Sequence, residues 1–488
     1  MSTKEKQFKL TLLSGLRWSA IKRFGQAFLS VGVLVVMARL LEPSDFGLVA
    51  MATVFTGISN VFTELGTGEA LIRKKDPSKE FISSIFWLNT GLSFVVCIAL
   101  FYISPLAASL YDEKIVELLI YILSIEILLS GVNRVSHALM EKEMRFKAIA
   151  YAQLLSQIIS SFIGISMAFL GYGLWSLVAL GISSQLLYTI ILNLFLKWMP
   201  SLTFKVEHIK DIFTFSSYLT SIKILDHVQR RSEIFIVAYF MGSYLGGVYS
   251  QTVNLMRKPI KLIGGFMIPV LFSSMSSVLD KPEHVKSLYL KSIQSFFMVY
   301  APISIILILY SDPFVLFVLG DQWFEMVPLV PVFGLMLLYW SLHKCNVTSL
   351  KSIGRVDILF KIYIIYVPLS IIGCLIGVQY GIFWVAISML ITTCLLFLTS
   401  TLLTLKVIKI KKRFYMKQIL VLLYFGFIML FFGYTLNMIL NIYFYETPHI
   451  LRATISMILS IGIYVFFIIK YPVDALIYIK ELIKIKRA

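Results

Sequence analysis

The sequence predicts an all-α polytopic membrane protein. Fourteen transmembrane helices form two six-helix lobes, built as parallel repeats, plus a C-terminal helix pair, with both ends on the cytoplasmic side. Three observations lead there. Hydrophobic residues make up 58% of the 488, only 14% are charged, and the mean hydropathy is +0.86; a soluble domain carries about 25% charged residues. Apolar runs long enough to cross a bilayer recur along the whole length. The cations between those runs fall on alternate connections.

Fourteen apolar segments follow in order at 16–40, 46–66, 82–104, 115–139, 147–169, 172–196, 212–240, 244–274, 288–310, 326–349, 356–378, 381–405, 417–440 and 449–470. The first is too long for a cleavable leader and has no small-residue cleavage site, so it is expected to stay as a signal anchor. Lys4, Lys6 and Lys9, the "RKK" at Arg73–Lys75, Lys142 with Arg145, Lys197 with Lys205, Lys281 with Lys286, Lys351 with Arg355, Lys406 to Lys417 and the tail from Lys470 all fall on one side. The opposite connections, such as "LEPSDFG", "MGS" and "VQYG", hold Lys114 as their one mid-loop cation. Well over half of the 44 basic residues thus lie on one face, which the positive-inside rule makes cytoplasmic. The net charge of +18 is therefore a topology signal at an anionic membrane surface, and nucleic acid is excluded as a partner. Trp18, Trp87, Trp198 and Trp323 are expected in aromatic belts, and Pro259, Pro269 and Pro302 are expected to kink their helices.

Two stretches echo each other. "RLLEPSDFGLVA" from Arg39 matches "AYFMGSYLGGVY" from Ala238, and "GYGLWSLVAL" from Gly171 matches "QYGIFWVAIS" from Gln379. Each follows an odd-numbered span and opens an even-numbered one. Separation by an even number of spans makes the copies parallel, as in two-lobed transporters that alternate access around a central cavity. The boundaries expected are 1–200 for the N-terminal lobe, 201–410 for the C-terminal lobe, and 411–488 for the last two helices and basic tail.

The seventh and eighth spans form a hairpin turning near Gly242, and they carry the most buried charge. Lys223, Asp226, His227 and Arg230 share one helix face, with Arg231 and Glu233 beside them; Asn254, Arg257, Lys258 and Lys261 answer from the eighth span. At 1.5 Å per residue, Arg230 and Asn254 lie roughly 18 Å below the turn, near mid-bilayer, and Arg257 about 23 Å. Internal pairing of Asp226 with Arg230, and of Glu233 with a neighbour, covers part of the set. Lys223, Lys258 and Lys261 can snorkel to the interface. The remaining cations point to the wall of an anion-binding cavity, since a guanidinium grips phosphate in two places and keeps its charge when desolvated. Lys22 and Arg23, at the cytoplasmic entrance of the first span, either snorkel or form the rim of the same path; Arg17 is a surface anchor. Glu126 and Asp226 are candidates for ion coupling, with a structural ion pair as the competing reading. Arg134 and His137 lie lower on the span of Glu126. His343, Lys344, Lys361 and Lys291 are expected to snorkel, and Glu64 to be interfacial. Cys97, Cys345, Cys374 and Cys394 have no metal-like spacing and read as packing residues. No phosphate loop, metal cluster or large outer domain is present in the sequence, so neither a cofactor nor an enzymatic role is expected.

With these motifs in place, a resemblance emerges. "ARLLEPSDFGLVAMATVF" followed by "ELGTGEALIRKKD", together with "MEKEMRFKAIAYAQLLSQ", "RKPIKLIGGFMIPVLF", "LGDQWFEMVPLVPVF" and "SIGRVDILFK", resembles Wzx-type polysaccharide flippases. These belong to the exopolysaccharide and lipopolysaccharide branch of the multidrug/oligosaccharidyl-lipid/polysaccharide exporter superfamily. The resemblance implies movement of undecaprenyl-diphosphate-linked oligosaccharide across the bacterial cytoplasmic membrane, in company with membrane lipids, a polysaccharide polymerase and chain-length proteins. It also implies a cationic cavity between two lobes and a gradient-linked driving force. A multidrug or organic-cation exporter of the same superfamily would need a carboxylate-lined cavity, and a polymerase or ligase a large outer loop; the sequence offers neither.

Overall fold

The computed structural model describes residues 3–57, 67–205, 207, 217–444 and 448–470. Residues 58–66 of the second expected span with Glu64, 212–216 of the seventh with the residues just before it, and the basic tail 471–488 lie outside them. The regular secondary structure of the described residues is helical. In chain order they form α1 (Thr3–Leu40), α2 (Pro43–Thr56), α3 (Thr67–Arg73), α4 (Lys79–Tyr111), α5 (Lys114–Lys142), α6 (Phe146–Phe169), α7 (Leu174–Leu196) and α8 (Ser217–Ser276). Then come α9 (Pro282–Leu309), α10 (Ser311–Val318), α11 (Leu329–Ser352), α12 (Val356–Gly377), α13 (Ile382–Ile408), α14 (Lys412–Tyr443) and α15 (His449–Lys470). Short 3₁₀ turns cover Asp321–Met326 and Val378–Tyr380. Eleven helices among the described residues are long and apolar enough to cross a membrane; the chain is a multi-pass membrane protein.

The chain divides into two compact units, Met1–Ser250 and Gln251–Ala488. In the first, α1 runs along α6 because Gly15 and Gly25 let the Phe146 ring and the Leu154 side chain sit directly on its backbone. Trp18 packs on Tyr151 at 5.3 Å between ring centroids. The core between α2, α4, α5 and α7 is apolar, with Met51, Leu119, Ile120 and Val178 at its centre. Lys142, at the end of α5, donates to the carbonyls of Leu71, Lys74 and Lys75. This ammonium takes up backbone oxygens left open where α3 ends. The connector after α7 is pinned to α4: Ser201 donates from backbone and side chain to Ser83 Oγ at 3.0 and 2.8 Å, and Trp87 Nε1 donates to the Ser201 carbonyl at 2.8 Å. Lys205 reaches Glu80 at 2.5 Å, a contact that holds its ammonium pKa above the usual range.

α8 doubles back at Gly242, whose φ of 80° and ψ of −178° suit a residue without a Cβ. The two arms pack at once, Gly246 against Ala238, and Tyr249 donates to Glu233 at 3.3 Å across the turn. The expected hairpin is present. A Cβ on Gly47 would overlap the carbonyl oxygen of Ser243, and one on Gly247 would overlap that of Pro43. The two echoing turns, "LEPSDFG" and "MGSYLGG", thus meet backbone to backbone. Gly242 is the position in α8 with non-helical dihedrals, so Pro259 and Pro269 sit inside continuing helix.

In the second unit, Gly334 on α11 receives Leu307 of α9, and Ser304 donates to its carbonyl at 2.7 Å. Gly377 lets the end of α12 approach the backbone of Trp384 and Val385 on α13. Tyr310 bonds Ser456 at 2.6 Å, tying α9 to α15. Trp323 corrects an expectation: it is completely buried, part of the packing beneath the short 3₁₀ turn rather than of an aromatic belt.

Candidate functional site

The candidate residues on the first arm of α8 have distinct settings. Arg230 is ion-paired with Asp226 one turn away, as the spacing of four predicts. Arg231 lies against α2: its guanidinium rests on Gly57, where a side chain would collide with it, and Nη1 donates to Thr53 Oγ1 at 3.3 Å. Glu233 is buried and accepts from Gln229 and Tyr249. Two adjacent arginines are therefore half-buried among different partners. The side chain of Lys223 lies outside the described residues.

On the second arm, Arg257 is half-buried, its guanidinium 4.9 Å from the ring centroid of Trp340 on α11. Such stacking fixes the guanidinium plane. Lys258 is half-buried; Lys261 and Asn254 are exposed. On α1, Lys22 is half-buried and feels the charge of Glu141, whereas Arg23 and Arg17 are exposed. Lys22 thus faces α5. Glu126 is half-buried on α5, and its Oε1 lies where a side chain on Gly181 of α7 would be. No group of three His, Cys, Asp or Glu that could hold a metal occurs among the described residues.

Two features escaped the sequence reading. The first is a pair of matching polar clamps. In the first unit Asn133 Nδ2 donates to Thr189 Oγ1 at 2.7 Å, Ser136 to Asn193 at 2.8 Å, and His137 meets the Tyr188 hydroxyl at 2.6 Å, joining α5 to α7. In the second unit His343 meets Ser400 at 3.0 Å, and Asn346 donates to Ser400 and Thr401 at 3.0 and 2.9 Å, joining α11 to α13. Asn133–Thr189 spans 56 residues and His343–Ser400 spans 57. This corrects the expectation for His343, which is 3% exposed and bonded within the unit instead of snorkelling. The second feature is a cavity of about 330 Å³ in the first unit, lined by Asn133, Arg134, His137, Gln153, Gln185 and Tyr188. A face of α5 with residues three and four apart was legible; its partners on α6 and α7 were not.

With this geometry in hand, comparison places the chain. The sequence profile of the family described as "Polysaccharide biosynthesis protein" matches residues 36–328. The chain belongs to that family. It is 24% identical over 383 residues to the lipopolysaccharide biosynthesis protein WzxC of Escherichia coli (strain K12), covering 76% of each chain. It is also 24% identical over 354 residues to the teichuronic acid biosynthesis protein TuaB of Bacillus subtilis (strain 168), covering 72% of this chain and 73% of the relative. Among solved structures, the lipid II flippase MurJ in an inward closed conformation superposes with a TM-score of 0.73 over 96% of this chain and all of that one, at 17% identity. An inward-facing MATE family multidrug transporter gives 0.61 over 80% of this chain and 98% of that one, at 16% identity. Both share the fold.

Proposed function

We propose that this member of the polysaccharide biosynthesis family is a flippase. It carries a polyprenyl-diphosphate-linked oligosaccharide from the inner to the outer leaflet of the bacterial cytoplasmic membrane, for cell-surface polysaccharide assembly. The carrying observation is the setting of Arg230, Arg231 and Arg257: three guanidiniums on a helix long and apolar enough to cross a membrane, each half-buried among local contacts. Charge on such a helix is retained for function, and guanidinium is suited to a diphosphate. Lys223, Lys258, Lys261 and Asn254 extend the anionic path, and Lys22 and Arg23 form its cytoplasmic rim. Relatives named for lipopolysaccharide, teichuronic acid and succinoglycan synthesis and the lipid II flippase fold support the same reading. The chemistry is translocation, with no bond made or broken.

The topology proposed is fourteen spans with both ends cytoplasmic. α8 supplies two of them through its turn at Gly242. The expected span 46–66, which α2 opens, and α11, whose polar clamp lowers its hydropathy, supply two more. The lobes 1–200 and 201–410, followed by 411–488, remain the proposed division, supported by the repeated turns and the matching clamps. Glu126 on Gly181 and Asp226 beside Arg230 are the proposed coupling groups. A polymerase and chain-length proteins are the proposed protein partners.

In a flippase-deleted host the wild-type chain restores polymer export. Arg230→Ala, Arg231→Ala and Arg257→Ala each insert at normal levels and lose most of that export. Full export from all three variants contradicts the anion-binding role.

A further inference from the structure

We propose that the cavity in the first unit is a subsite for one acidic sugar ring of the carried glycan. Arg134 grips the ring carboxylate, and Asn133 Oδ1 and Gln153 Oε1 accept hydrogen bonds from its hydroxyls. The inference rests on the flippase reading and adds a substrate class to it.

The lining is that of a sugar site: amides, an imidazole, a phenol, a guanidinium and the Glu141 carboxylate converge on a space of about 330 Å³, at the lower end of small-ligand pockets. Two acceptors there are without a hydrogen-bond partner. Asn133 is 4% exposed, its Nδ2 is committed to Thr189, and its Oδ1 has none; Gln153 Oε1 has none either. A buried amide oxygen left unmatched is costly, and a ligand hydroxyl is the donor that would satisfy it. Arg134 faces the same space. Glu141 lines the cavity as well, but its charge is taken up by His137 at 3.3 Å and by Lys22. Arg134 itself makes no ion pair among the described residues, so a carboxylate brought by the ligand would supply its counter-charge. The second unit provides an internal control. Its matching clamp, His343 with Asn346, Ser400 and Thr401, is sealed, and Tyr289 occupies Asn346 Oδ1 at 2.7 Å. The same scaffold is closed there and open here, so the opening is not a requirement of the clamp.

The test uses the full chain in detergent, titrated calorimetrically with D-glucuronate, D-glucose and acetate. Saturable glucuronate binding is expected, with glucose at least tenfold weaker and acetate weaker still. Arg134→Gln should weaken glucuronate at least tenfold, and Arg134→Lys less. Gln153→Leu, which keeps every charge and covers the case of an unfolded Arg134 variant, should weaken both sugars. Equal affinity for glucose and glucuronate, no binding of either, or glucuronate binding unchanged by Arg134→Gln each overturn the subsite. Failure of the subsite with export intact leaves the flippase reading standing. Failure of the wild-type chain to restore export overturns that reading whatever sugar is bound.

Discussion

Arg230 and Arg231 are neighbours in sequence, yet they meet different company. Arg230 has an acid one turn away; Arg231 has a threonine hydroxyl and a bare glycine. The Asp226–Arg230 pair is partly exposed on its helix face. If Arg230 serves an anionic headgroup through its fork as well as Asp226 through its charge, lysine should not replace it. We expect Arg230→Ala and Arg230→Lys both to lose most export, measured as polymer per cell at matched protein level. At Gly57, a bulkier residue must displace the Arg231 guanidinium. Gly57→Val should therefore reproduce the export defect of Arg231→Ala without lowering insertion. The pairing of Asp226 with Arg230 was legible from spacing alone, because i and i+4 residues share a face. The seat of Arg231 was not, since Thr53 and Gly57 belong to a distant helix. His343 shows the same limit: a histidine in a span reads alike whether it snorkels or is bonded to a serine 57 residues away. Its burial within that network makes His343→Ala cost about 1–3 kcal/mol, seen as a lower unfolding temperature in detergent.

At the scale of elements, turns and glycines carry the packing. The hairpin of α8 was legible because "FMGS" interrupts two apolar runs, and Gly242 supplies the dihedral angles that the reversal needs. The contact of the two echoing turns was not, since a repeat establishes similarity and says nothing of contact. Gly47 and Gly247 make that contact possible, each lying against a carbonyl of the other turn. Gly47→Val should force the turns apart at a cost of about 1–3 kcal/mol, typical of overpacking, and lower the unfolding temperature. A thermal transition unchanged by this substitution would contradict the packing described. The cavity beside α5 belongs to this scale too. Its α5 face could be read as a stripe, but Gln153, Gln185 and Tyr188 come from helices whose rotation only tertiary packing fixes.

For the whole molecule, apolar runs and alternating basic loops were enough to read a polytopic membrane protein, because the bilayer imposes both on any chain that crosses it. Hydropathy is a weaker guide where polar side chains bond within the bundle, and α11 is the example: its histidine and asparagine lower its score while the packed helix hides them. The central claim is that guanidiniums at membrane depth carry a diphosphate-linked glycan across. The direct measurement is transbilayer movement of a fluorescent polyprenyl-diphosphate oligosaccharide in proteoliposomes containing only this protein. We predict protein-dependent flipping that falls to the protein-free rate when Arg230, Arg231 and Arg257 are replaced together by alanine. Flipping at the wild-type rate by the triple variant, or none by the wild-type chain in either direction with an imposed ion gradient, would contradict the claim.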